Sequence, residues 1–471
     1  MTNTDPKQEI LKSEIIFSER EDWSKEDKIL IEKAISFATI KHDGQTRYDG
    51  SPYVNHVIST GKNLARLGMD TTTIVAGILH DTIEDTETAE EELEENFGKD
   101  VSFLVMGVSK LSKLRYTGME RHVESLRKFF VAMAEDIRVV VIKLADRLHN
   151  IQTLEFVKEE KRQRIALETL EIHARLADRL GMGALKTELE DKAFPYAYPE
   201  EYQEVKKISE AAIKSSTQNI EEVKKSIKES LDLEDVTVIK VDSRVKHLYS
   251  LFQKLKKHDM DMSKIHDVIA LRVIVPNISS CYKALGVIHS EYKPIVGRIK
   301  DYISTPKANG YQSLHTTILT KDGNTAEIQI RTLMMHAEAE FGIASHLHYK
   351  EIGNSKTKEE LRRKTSWTKD LLELQKTITD KEEFLHTLKT DFFQTRVFVL
   401  TPKGDVVDLP EGATPIDFAY NIHSKIGDTM SHAKINGKLT SIDTKLKRGD
   451  VVEIITNKNG RPTSKWLDHV K

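Results

Sequence analysis

The 471-residue sequence predicts a multidomain protein in which an all-α domain, an α+β domain and a small β-rich module follow one another. From about Ser24 to Ala193, apolar residues recur at helical spacing without convincing strand alternation. Beyond about Glu201, a long charged helix leads into a region where predicted strands alternate with helices. Short strands with Gly- and Pro-containing turns then run from Arg396 to about Thr456. Ordinary domain sizes agree with about three domains in a chain of this length.

Composition narrows the class of protein. No apolar run approaches the roughly 20 residues of a membrane-spanning helix, and the polar start lacks the features of a signal peptide. The single cysteine, Cys281, excludes a disulfide framework and a cysteine-based zinc module. A net charge of -3 gives no global attraction to nucleic acid, so anion binding must come from local basic clusters. We therefore expect a soluble, cytoplasmic protein with no membrane partner.

Four residues of the first domain have the chemistry and spacing of a divalent metal site: His56, His80, Asp81 and Asp146. His80 and Asp81 close an apolar helical run, and Asp146 follows the apolar residues 139–142 and 144, where an unpaired charge would be costly. Imidazole and carboxylate together bind Mn²⁺ or Zn²⁺, and an open coordination position acidifies a water molecule. Glu84 and Asp85, one helical turn later, could handle the water's proton. The alternative interpretation is that His56 and Asp146 are ordinary polar-face residues.

The α+β domain is predicted to contain strands at residues 236–241, 267–275, 311–319 and 325–331, with helices such as Arg244 to Lys257 between them. On that helix Lys246, Ser250 and Lys254 share one face. A phosphate-binding face and an ordinary solvated face explain this spacing equally well.

A second site is predicted around the last two strands. Alternation places Glu327, Gln329 and Arg331 on one face of the last strand. The strand before it presents Tyr311, Ser313 and His315, and a basic loop precedes both with Lys293, Arg298, Lys300 and Lys307. Tyrosine for stacking a base, basic groups for phosphates, and Asp267 and Glu327 for a hard metal are components of phosphoryl transfer. Strict alternation sends Asp267 and Arg272 to opposite faces, so a shared site requires a bulge or the strand's edge.

Several motifs resemble those of the long RelA/SpoT homologues, the alarmone synthetase-hydrolases that make and degrade (p)ppGpp. In the first domain these are Gly-Gln-Thr-Arg (44–47), Pro-Tyr-Val-Asn-His (52–56), His-Asp-Thr-Ile-Glu-Asp (80–85) and Leu-Ala-Asp-Arg-Leu-His-Asn (144–150). The second domain contains a similar signature at 300–315 and Glu-Ile-Gln-Ile-Arg-Thr at 327–332. Ala-Tyr-Asn-Ile-His-Ser (419–424) and residues 447–454 are similar to the family's TGS domain.

The resemblance implies an HD-type hydrolase at 24–195, a nucleotidyltransferase-like synthetase at 196–356 and a β-grasp TGS domain at 394–460. It further implies a polar segment at 1–23, a helical connector at 357–393 and the start of a truncated C-terminal region at 461–471. In the hydrolase, His56, His80, Asp81 and Asp146 would hold Mn²⁺. Glu84 and Asp85 would act in catalysis, and Arg47 and Asn150 would contact the nucleotide.

For the synthetase, the resemblance implies that Asp267 binds Mg²⁺ and that Glu327 assists it or acts as base toward the acceptor 3′-hydroxyl. Arg244 and Arg272 would hold the ATP base, and Tyr311 would stack on guanine. The phosphates would be bound by Lys246, Lys254, Lys300, Lys307 and His315. Ser250, Asn309 and Gln329 complete the expected nucleotide-binding set. The TGS domain would sense uncharged tRNA on the ribosome.

These features predict a bifunctional enzyme that transfers pyrophosphate from ATP to GDP or GTP and hydrolyses (p)ppGpp at a separate site. Residues 298–301 resemble a basic motif of bifunctional members, which tend to favour GDP. Tyr48-Asp49 replaces the usual Lys-Ser, so a synthetase with an inactive hydrolase pocket is an alternative. A tRNA- or ribosome-binding regulator with vestigial catalysis and a generic metal-dependent nucleotidase are others. We expect the helices between about Ala193 and Ser230 to couple the two sites.

Overall fold

The computed structural model describes residues 6–112, 131–132, 135–261, 269–307, 309–321, 323–345, 396–404, 406–447, 449–457 and 461–470. The chain divides into two compact units. The first comprises Met1–Ile299 and His315–Lys381, and the second comprises Lys300–Leu314 and Glu382–Lys471. The predicted connector at 357–393 lies outside the described residues. None of the described helices is both long and apolar enough to span a membrane.

The first domain is helical over its described residues, as predicted. Its α-helices are α1 (Pro6–Phe17), α2 (Lys25–Lys41), α3 (Val54–Arg66), α4 (Thr71–Leu79), α5 (Thr82–Asp85), α6 (Glu90–Phe97), α7 (Lys99–Ser112), α8 (Ile137–Gln152), α9 (Glu159–Glu168), α10 (Ala174–Arg179) and α11 (Gly183–Ala197). A 3₁₀ turn, Leu154–Phe156, and a π-helical turn, Thr169–His173, link the later helices. Ser24 and Asp27 form a capping box at the start of α2.

Apolar faces of α3, α4, α7 and α8 pack together and form the core of this domain. Ile74, Ile78, Val140 and Leu144 are fully buried there. The helical run that ends in the metal motif is interrupted, because α4 ends at Leu79 and α5 begins at Thr82. Glu84 and Asp85 therefore belong to a separate short helix, and the Glu84 N–H donates to the Asp81 carbonyl at 3.1 Å.

The second domain is α+β, as predicted. It contains α12 (Pro199–Leu233), β1 (Lys240–Val245), α13 (Leu248–Lys257), β2 (Ile269–Val275), α14 (Ile278–Glu291), β4 (Leu314–Leu319), β5 (Thr325–Thr332) and α15 (Leu333–Phe341), while the short strand β3 (Lys300–Asp301) belongs to the second unit. Strands β1, β2, β5 and β4 are neighbours in that order. Strand β1 is antiparallel to β2, and β2 is parallel to β5.

Three predicted boundaries in this domain are wrong. The strand expected at 311–319 begins at Leu314, so Tyr311 and Ser313 precede it and only His315 lies on the strand. The strand expected at 236–241 begins instead at Lys240, and Arg244 lies in that strand instead of starting a helix. The cause is the end of α12: Asp235 has a positive φ of 52°, and the Val236 N–H donates to the Leu231 carbonyl at 2.9 Å. This helix-terminating Schellman arrangement buries Val236 as an apolar contact and delays the strand.

The C-terminal module contains the predicted short strands: β6 (Arg396–Leu400), β7 (Val406–Pro410), β8 (Met430–Ile435), β9 (Lys438–Thr440) and β10 (Val452–Thr456). Helices α16 (Pro415–Ile422) and α17 (Ser424–Asp428) lie between β7 and β8, and a 3₁₀ turn follows at Ser464–Asp468. Helix α16 packs on β7, β8 and β10. Strands β10, β8 and β9 form one sheet and β6 and β7 form another, and Val399, Phe418 and Val452 contribute to the buried core between them and α16.

Candidate functional site

Three helices bring the predicted metal ligands together. His56 lies on α3, Asp146 lies on α8, and His80 directly follows α4. Nε2 of His56 is 3.2 Å from Oδ1 of Asp146 and 3.5 Å from Oδ2 of Asp81. Nε2 of His80 is 3.1 Å from the same Asp81 oxygen. All four side chains are buried, so their donor atoms face one another in a site shielded from bulk water.

The donor chemistry of this cluster fits a divalent cation. Nδ1 of His80 lies 2.8 Å from the Gly77 carbonyl oxygen, so this nitrogen carries the proton and donates it. When the imidazole is neutral, Nε2 of His80 therefore has a lone pair, and this atom is buried without a hydrogen-bond partner among the described residues. Nitrogen and carboxylate lone pairs that converge on one point repel each other unless a cation lies between them.

The charges of the cluster also favour a cation. Burial opposes ionisation of Asp146, yet Lys143 and the two imidazoles hold the pKa of this carboxyl well below its usual range. Burial also opposes a charge on His80, yet Asp81 and Asp146 raise the pKa of its imidazole to about 10. Two ionised carboxylates in a buried site therefore attract either a proton or a metal ion strongly.

Further side chains orient the carboxylate of Asp146. Its Oδ2 accepts a hydrogen bond from Lys143 Nζ at 2.7 Å, and its Oδ1 accepts one from Asn150 Nδ2 at 2.6 Å. The side-chain carbonyl of Asn150 in turn accepts a hydrogen bond from Arg47 at 2.9 Å. The predicted nucleotide-contacting residues Arg47 and Asn150 are thus adjacent, and Asn150 contacts the predicted metal ligand Asp146 directly.

His149 orients the imidazole of His56, because their Nδ1 atoms lie 2.8 Å apart. Burial, together with the charges of His56 and Arg47, lowers the pKa of His149 to about 4. Its neutral ring can accept the proton of His56 Nδ1, which leaves Nε2 of His56 free to bind a metal. Sequence reasoning assigned no role to His149 or Lys143. Their positions on the same helix, beside Asn150 and one turn before Asp146, could have indicated them.

The predicted proton-handling residues lie on the short helix α5. Glu84 is half-buried and Asp85 is exposed. The Oη atom of Tyr53 lies 3.0 Å from Oδ2 of Asp85 and 2.7 Å from Oδ2 of Asp81. Burial and the two neighbouring carboxylates raise the pKa of Tyr53, so its phenol remains protonated. Sequence reasoning also missed Tyr53, although it stands three residues before His56.

In the second domain, sheet register places four predicted nucleotide-site residues on one face. Glu327 and Gln329 of β5 lie opposite Ala270 and Arg272 of β2. Arg244 of β1 also lies opposite Ala270. Side chains at paired positions point to the same side of a sheet, so Arg244, Arg272, Glu327 and Gln329 share a face. The predicted metal ligand Asp267 lies outside the described residues.

Polar contacts on this face centre on Glu327. Its Oε1 lies 2.8 Å from Nδ1 of His315 and accepts a hydrogen bond from Gln329 Nε2 at 3.3 Å. Ser250 and Lys254 lie one turn apart on α13. Lys246 precedes that helix, so the prediction that it shares a helical face with them is wrong.

Arg331 lies on the same face of β5, but helix α15 covers it and only 1% of its side chain is exposed. Arg331 therefore shares the predicted face with Glu327 and Gln329 but does not contribute to an exposed surface there. Nη2 of Arg331 lies 2.7 Å from His336 Nδ1 and 3.2 Å from Glu340 Oε1. That Glu340 oxygen is also 3.5 Å from Arg272. Glu340 thus contacts both the buried Arg331 and Arg272, which is predicted to bind ATP.

The remaining predicted synthetase residues, Lys300, Lys307, Asn309 and Tyr311, belong to the second unit. Lys307 Nζ lies 4.8 Å from the ring centroid of Tyr302 and 4.9 Å from that of Tyr311. The side chain of Asn309 accepts a hydrogen bond from the Tyr311 N–H at 3.2 Å. The local arrangement therefore places a cation beside an aromatic ring.

Three family models match the chain in order. An HD domain matches residues 34–183, a region found in RelA/SpoT proteins matches residues 243–354, and a TGS domain matches residues 397–456. The HD match contains the four predicted metal ligands, and the RelA/SpoT match contains the polar face around Glu327. The fold class predicted from the sequence is thereby confirmed.

The chain is also similar to several curated proteins along most of its length. It is 46% identical over 449 residues to a GTP pyrophosphokinase of Myxococcus xanthus, covering 94% of this chain and 59% of that protein. A guanosine-3′,5′-bis(diphosphate) 3′-pyrophosphohydrolase of Aquifex aeolicus is 45% identical, with coverage of 94% and 62%. The bifunctional (p)ppGpp synthase/hydrolase SpoT of Escherichia coli is 43% identical, with coverage of 94% and 63%. The chain thus spans about three fifths of the length of these curated relatives.

Proposed function

Because the chain belongs to the long RelA/SpoT homologues, we propose that it is a bifunctional alarmone enzyme of the stringent response. In this proposal the HD domain hydrolyses (p)ppGpp to GDP or GTP and pyrophosphate. The second domain transfers pyrophosphate from ATP to the 3′-hydroxyl of GDP or GTP. The observation that carries the proposal is the buried convergence of His56, His80 and Asp146, with Asp81 Oδ2 3.1 Å from Nε2 of His80, in a chain that also contains the RelA/SpoT region.

For hydrolysis, we assign His56, His80, Asp81 and Asp146 as ligands of Mn²⁺. The bound metal would supply a Lewis acid and a water molecule of lowered pKa. Glu84 or Asp85 would take a proton from the attacking water as its oxygen bonds to phosphorus. The bond between phosphorus and the 3′-oxygen breaks, and this oxygen takes up a proton as pyrophosphate leaves. Arg47 and Asn150 would hold the nucleotide beside the metal ligands.

For synthesis, we assign Glu327 as the group that takes the proton of the acceptor 3′-hydroxyl or assists Mg²⁺, for which Asp267 is the proposed ligand. The 3′-oxygen bonds to the β-phosphorus of ATP, and the bond from that phosphorus to the α-phosphate oxygen breaks to release AMP. The contact between His315 and Glu327 supports this assignment because it fixes one carboxylate oxygen. The other nucleotide contacts we propose are Arg244, Lys246, Ser250, Lys254, Arg272, Lys300, Lys307, Asn309, Tyr311, His315 and Gln329.

The proposal extends to partners and to regulation. We assign recognition of uncharged tRNA on the ribosome to the TGS domain, and we place the enzyme in the cytoplasm. Helix α11 supports coupling between the two catalytic domains, because Glu188 accepts hydrogen bonds from Arg66 of α3 and Gln152 of α8. Three residues further on, Asp191 accepts the N–H of Tyr249 at 3.1 Å, at the start of α13. A nonreacting ATP analogue with GDP should therefore change Mn²⁺-dependent hydrolysis, and an unchanged rate at saturation would exclude the coupling.

Release of pyrophosphate from ppGpp by the purified chain with Mn²⁺ tests the hydrolase, with Asp81→Ala as the blank. Formation of AMP from ATP and GDP with Mg²⁺ tests the synthetase, with Glu327→Ala as the blank. Each substitution should abolish one activity and spare the other because the two sites use separate residues. If either change abolished both activities in a folded protein, the two-site proposal would be wrong.

The same assays separate the rival functions. Synthesis without hydrolysis would indicate an inactive hydrolase pocket, a possibility raised by Tyr48-Asp49; Tyr48 is 71% exposed beside Arg47 in the same loop. Tight tRNA binding without turnover would indicate a regulator with vestigial catalysis. Cleavage of ordinary nucleotides without cleavage of ppGpp would indicate a generic metal-dependent nucleotidase.

A further inference from the structure

The hydroxyl of Tyr53 lies between a metal ligand and an exposed carboxylate. Its Oη is 2.7 Å from Oδ2 of Asp81 and 3.0 Å from Oδ2 of Asp85. The same Asp81 oxygen is 3.1 Å from Nε2 of His80, so it faces the position where a metal would bind. A single side-chain atom therefore connects the metal centre to the carboxylate at its rim. A phenol has one proton, so the two carboxylates must share its donation.

The ring and backbone of Tyr53 are fixed by neighbouring groups. The ring stacks on His42 with centroids 4.9 Å apart and meets the edge of His56 at 5.6 Å. Gln45 contacts the backbones of both Tyr53 and Asp85. Its backbone carbonyl accepts the Tyr53 N–H at 2.9 Å, and its side-chain amide donates to the Asp85 carbonyl at 2.7 Å. Gln45 also contacts Nδ1 of the buried His42 at 2.8 Å. The contacts of Gln45 with both residues thus fix the distance between the Tyr53 phenol and Asp85.

A purely structural role does not account for this hydroxyl. Tyr53 occupies the N-cap position of α3, but its side chain makes no capping hydrogen bond there. Both described hydrogen bonds of the hydroxyl go to carboxylates of the candidate site. Ring packing would be satisfied equally well by phenylalanine, so the oxygen serves the site and not the core.

We propose that Tyr53 is a positioning residue of the hydrolase that orients Asp81 toward the metal and keeps Asp85 beside it. The inference rests on the proposed hydrolase function. Groups that hydrogen-bond to metal ligands fix ligand orientation, and removing one costs about 10- to 100-fold in metal affinity or activity. The hydroxyl acts as a hydrogen-bond donor throughout, so no proton is gained or lost by Tyr53 in this role.

Tyr53→Phe tests the proposal because it removes one oxygen and keeps the ring contacts. Tyr196→Phe is the matched control, since it removes a phenol from a half-buried position on α11 of the same domain. After chelation, Mn²⁺ is titrated into the full chain and its Kd is measured by electron paramagnetic resonance. Tyr53→Phe should raise the Kd about tenfold, and Tyr196→Phe should leave it within twofold of the wild-type value.

Kinetics at saturating Mn²⁺ then test the link to Asp85. Tyr53→Phe should lower kcat for ppGpp hydrolysis about tenfold or more with KM within twofold. In the Asp85→Asn background the same change should cost less than threefold in kcat, because the residue that it positions is already gone. Fully multiplicative losses, or a Tyr53→Phe variant with unchanged Kd and kcat, would overturn the proposal.

The outcomes also separate this inference from the proposed function. A wild-type chain that binds Mn²⁺ but does not hydrolyse ppGpp would contradict the hydrolase assignment. The Mn²⁺ titration of Tyr53→Phe would then decide the role of Tyr53 at the metal centre. A wild-type chain that binds no Mn²⁺ would overturn both.

Discussion

Replacing Glu190 with glutamine should remove a pH-dependent loss of stability from helix α11. The side chain of Glu190 is only 12% exposed, and its carboxylate lies 4.0 Å from Lys186 Nζ. Lys186 is closer to Asp178, at 3.1 Å. Burial raises the pKa of Glu190 from 4.5 to about 7, since Lys186 opposes the shift only in part and Asp178 and Asp191 add to it.

The sign of the effect follows from proton linkage. The folded chain binds this proton more tightly than the unfolded chain, so protonation of Glu190 stabilises the fold fully below the unfolded pKa of 4.5. This stabilisation is lost as the pH rises through about 7. At about 1.36 kcal/mol per pKa unit, the whole shift corresponds to about 3 kcal/mol, of which about 2.5 kcal/mol disappears between about pH 5 and pH 8. Glutamine keeps the shape of the side chain and does not ionise.

Amide hydrogen exchange of the peptide covering Gly183–Ala197 measures the local free energy of opening. After correction for intrinsic exchange rates, the difference in this free energy of opening between Glu190→Gln and wild type should rise by about 2.5 kcal/mol from about pH 5 to about pH 8. Glu229→Gln, at a carboxylate that is 64% exposed, should follow the wild-type protein at both pH values. A Glu190→Gln variant whose difference from wild type is the same at both pH values would refute the reasoning.

Three further predictions concern close packing, metal binding and the buried arginine. At Gly342, φ is +56° and an added Cβ would lie 2.3 Å from the Leu180 carbonyl oxygen, so Gly342→Ala should lower the free energy of urea unfolding by at least about 2 kcal/mol. Gly286→Ala, at an open helical position, should raise it by up to about 1 kcal/mol, and equal effects would contradict this account. Chelation should lower the melting temperature of metal-loaded wild type, since a metal at about 100 times its Kd adds about 2.7 kcal/mol, and should not change that of Asp81→Ala. Arg331→Met should lower the free energy of urea unfolding by about 3 kcal/mol, because Glu340 and His336 lose the buried side chain that they contact. A decrease of less than about 1 kcal/mol would show that these contacts do not stabilise the fold.

The first candidate site could be predicted in part from sequence, because the predicted metal ligands stand at recognisable places in the helical pattern. His80 and Asp81 follow an apolar helix, and Asp146 interrupts another. The groups that orient these ligands come from distant parts of the chain: Tyr53 and Asp81 are 28 residues apart, and His56 and His149 are 93 apart. Such pairings depend on how helices pack, which helical periodicity does not determine.

In the second domain, the sequence pattern predicts which residues of a strand share a face but not which of them another element covers. Alternation along β5 correctly predicted that Glu327 and Gln329 share a face, since Ile328 and Ile330 are fully buried on the other. The burial of Arg331 was not predictable, because α15 packs over the strand only in the folded chain. The boundary errors near Val236 have a local cause, since its apolar side chain suits a helix terminus and a strand equally well.

The HD domain and the RelA/SpoT region contact each other directly through their backbones. An added Cβ at Gly183 would lie 2.3 Å from the carbonyl oxygen of Ala339 on α15. Just after α15, the Ile343 N–H donates to the Leu180 carbonyl at 3.0 Å. Backbone packed directly on backbone cannot adjust through rotamer changes, so a shift of α15 must displace the start of α11. Because α15 contacts Arg272 through Glu340 and α11 contacts the helices of the metal centre, nucleotide and metal binding should influence each other by equal factors.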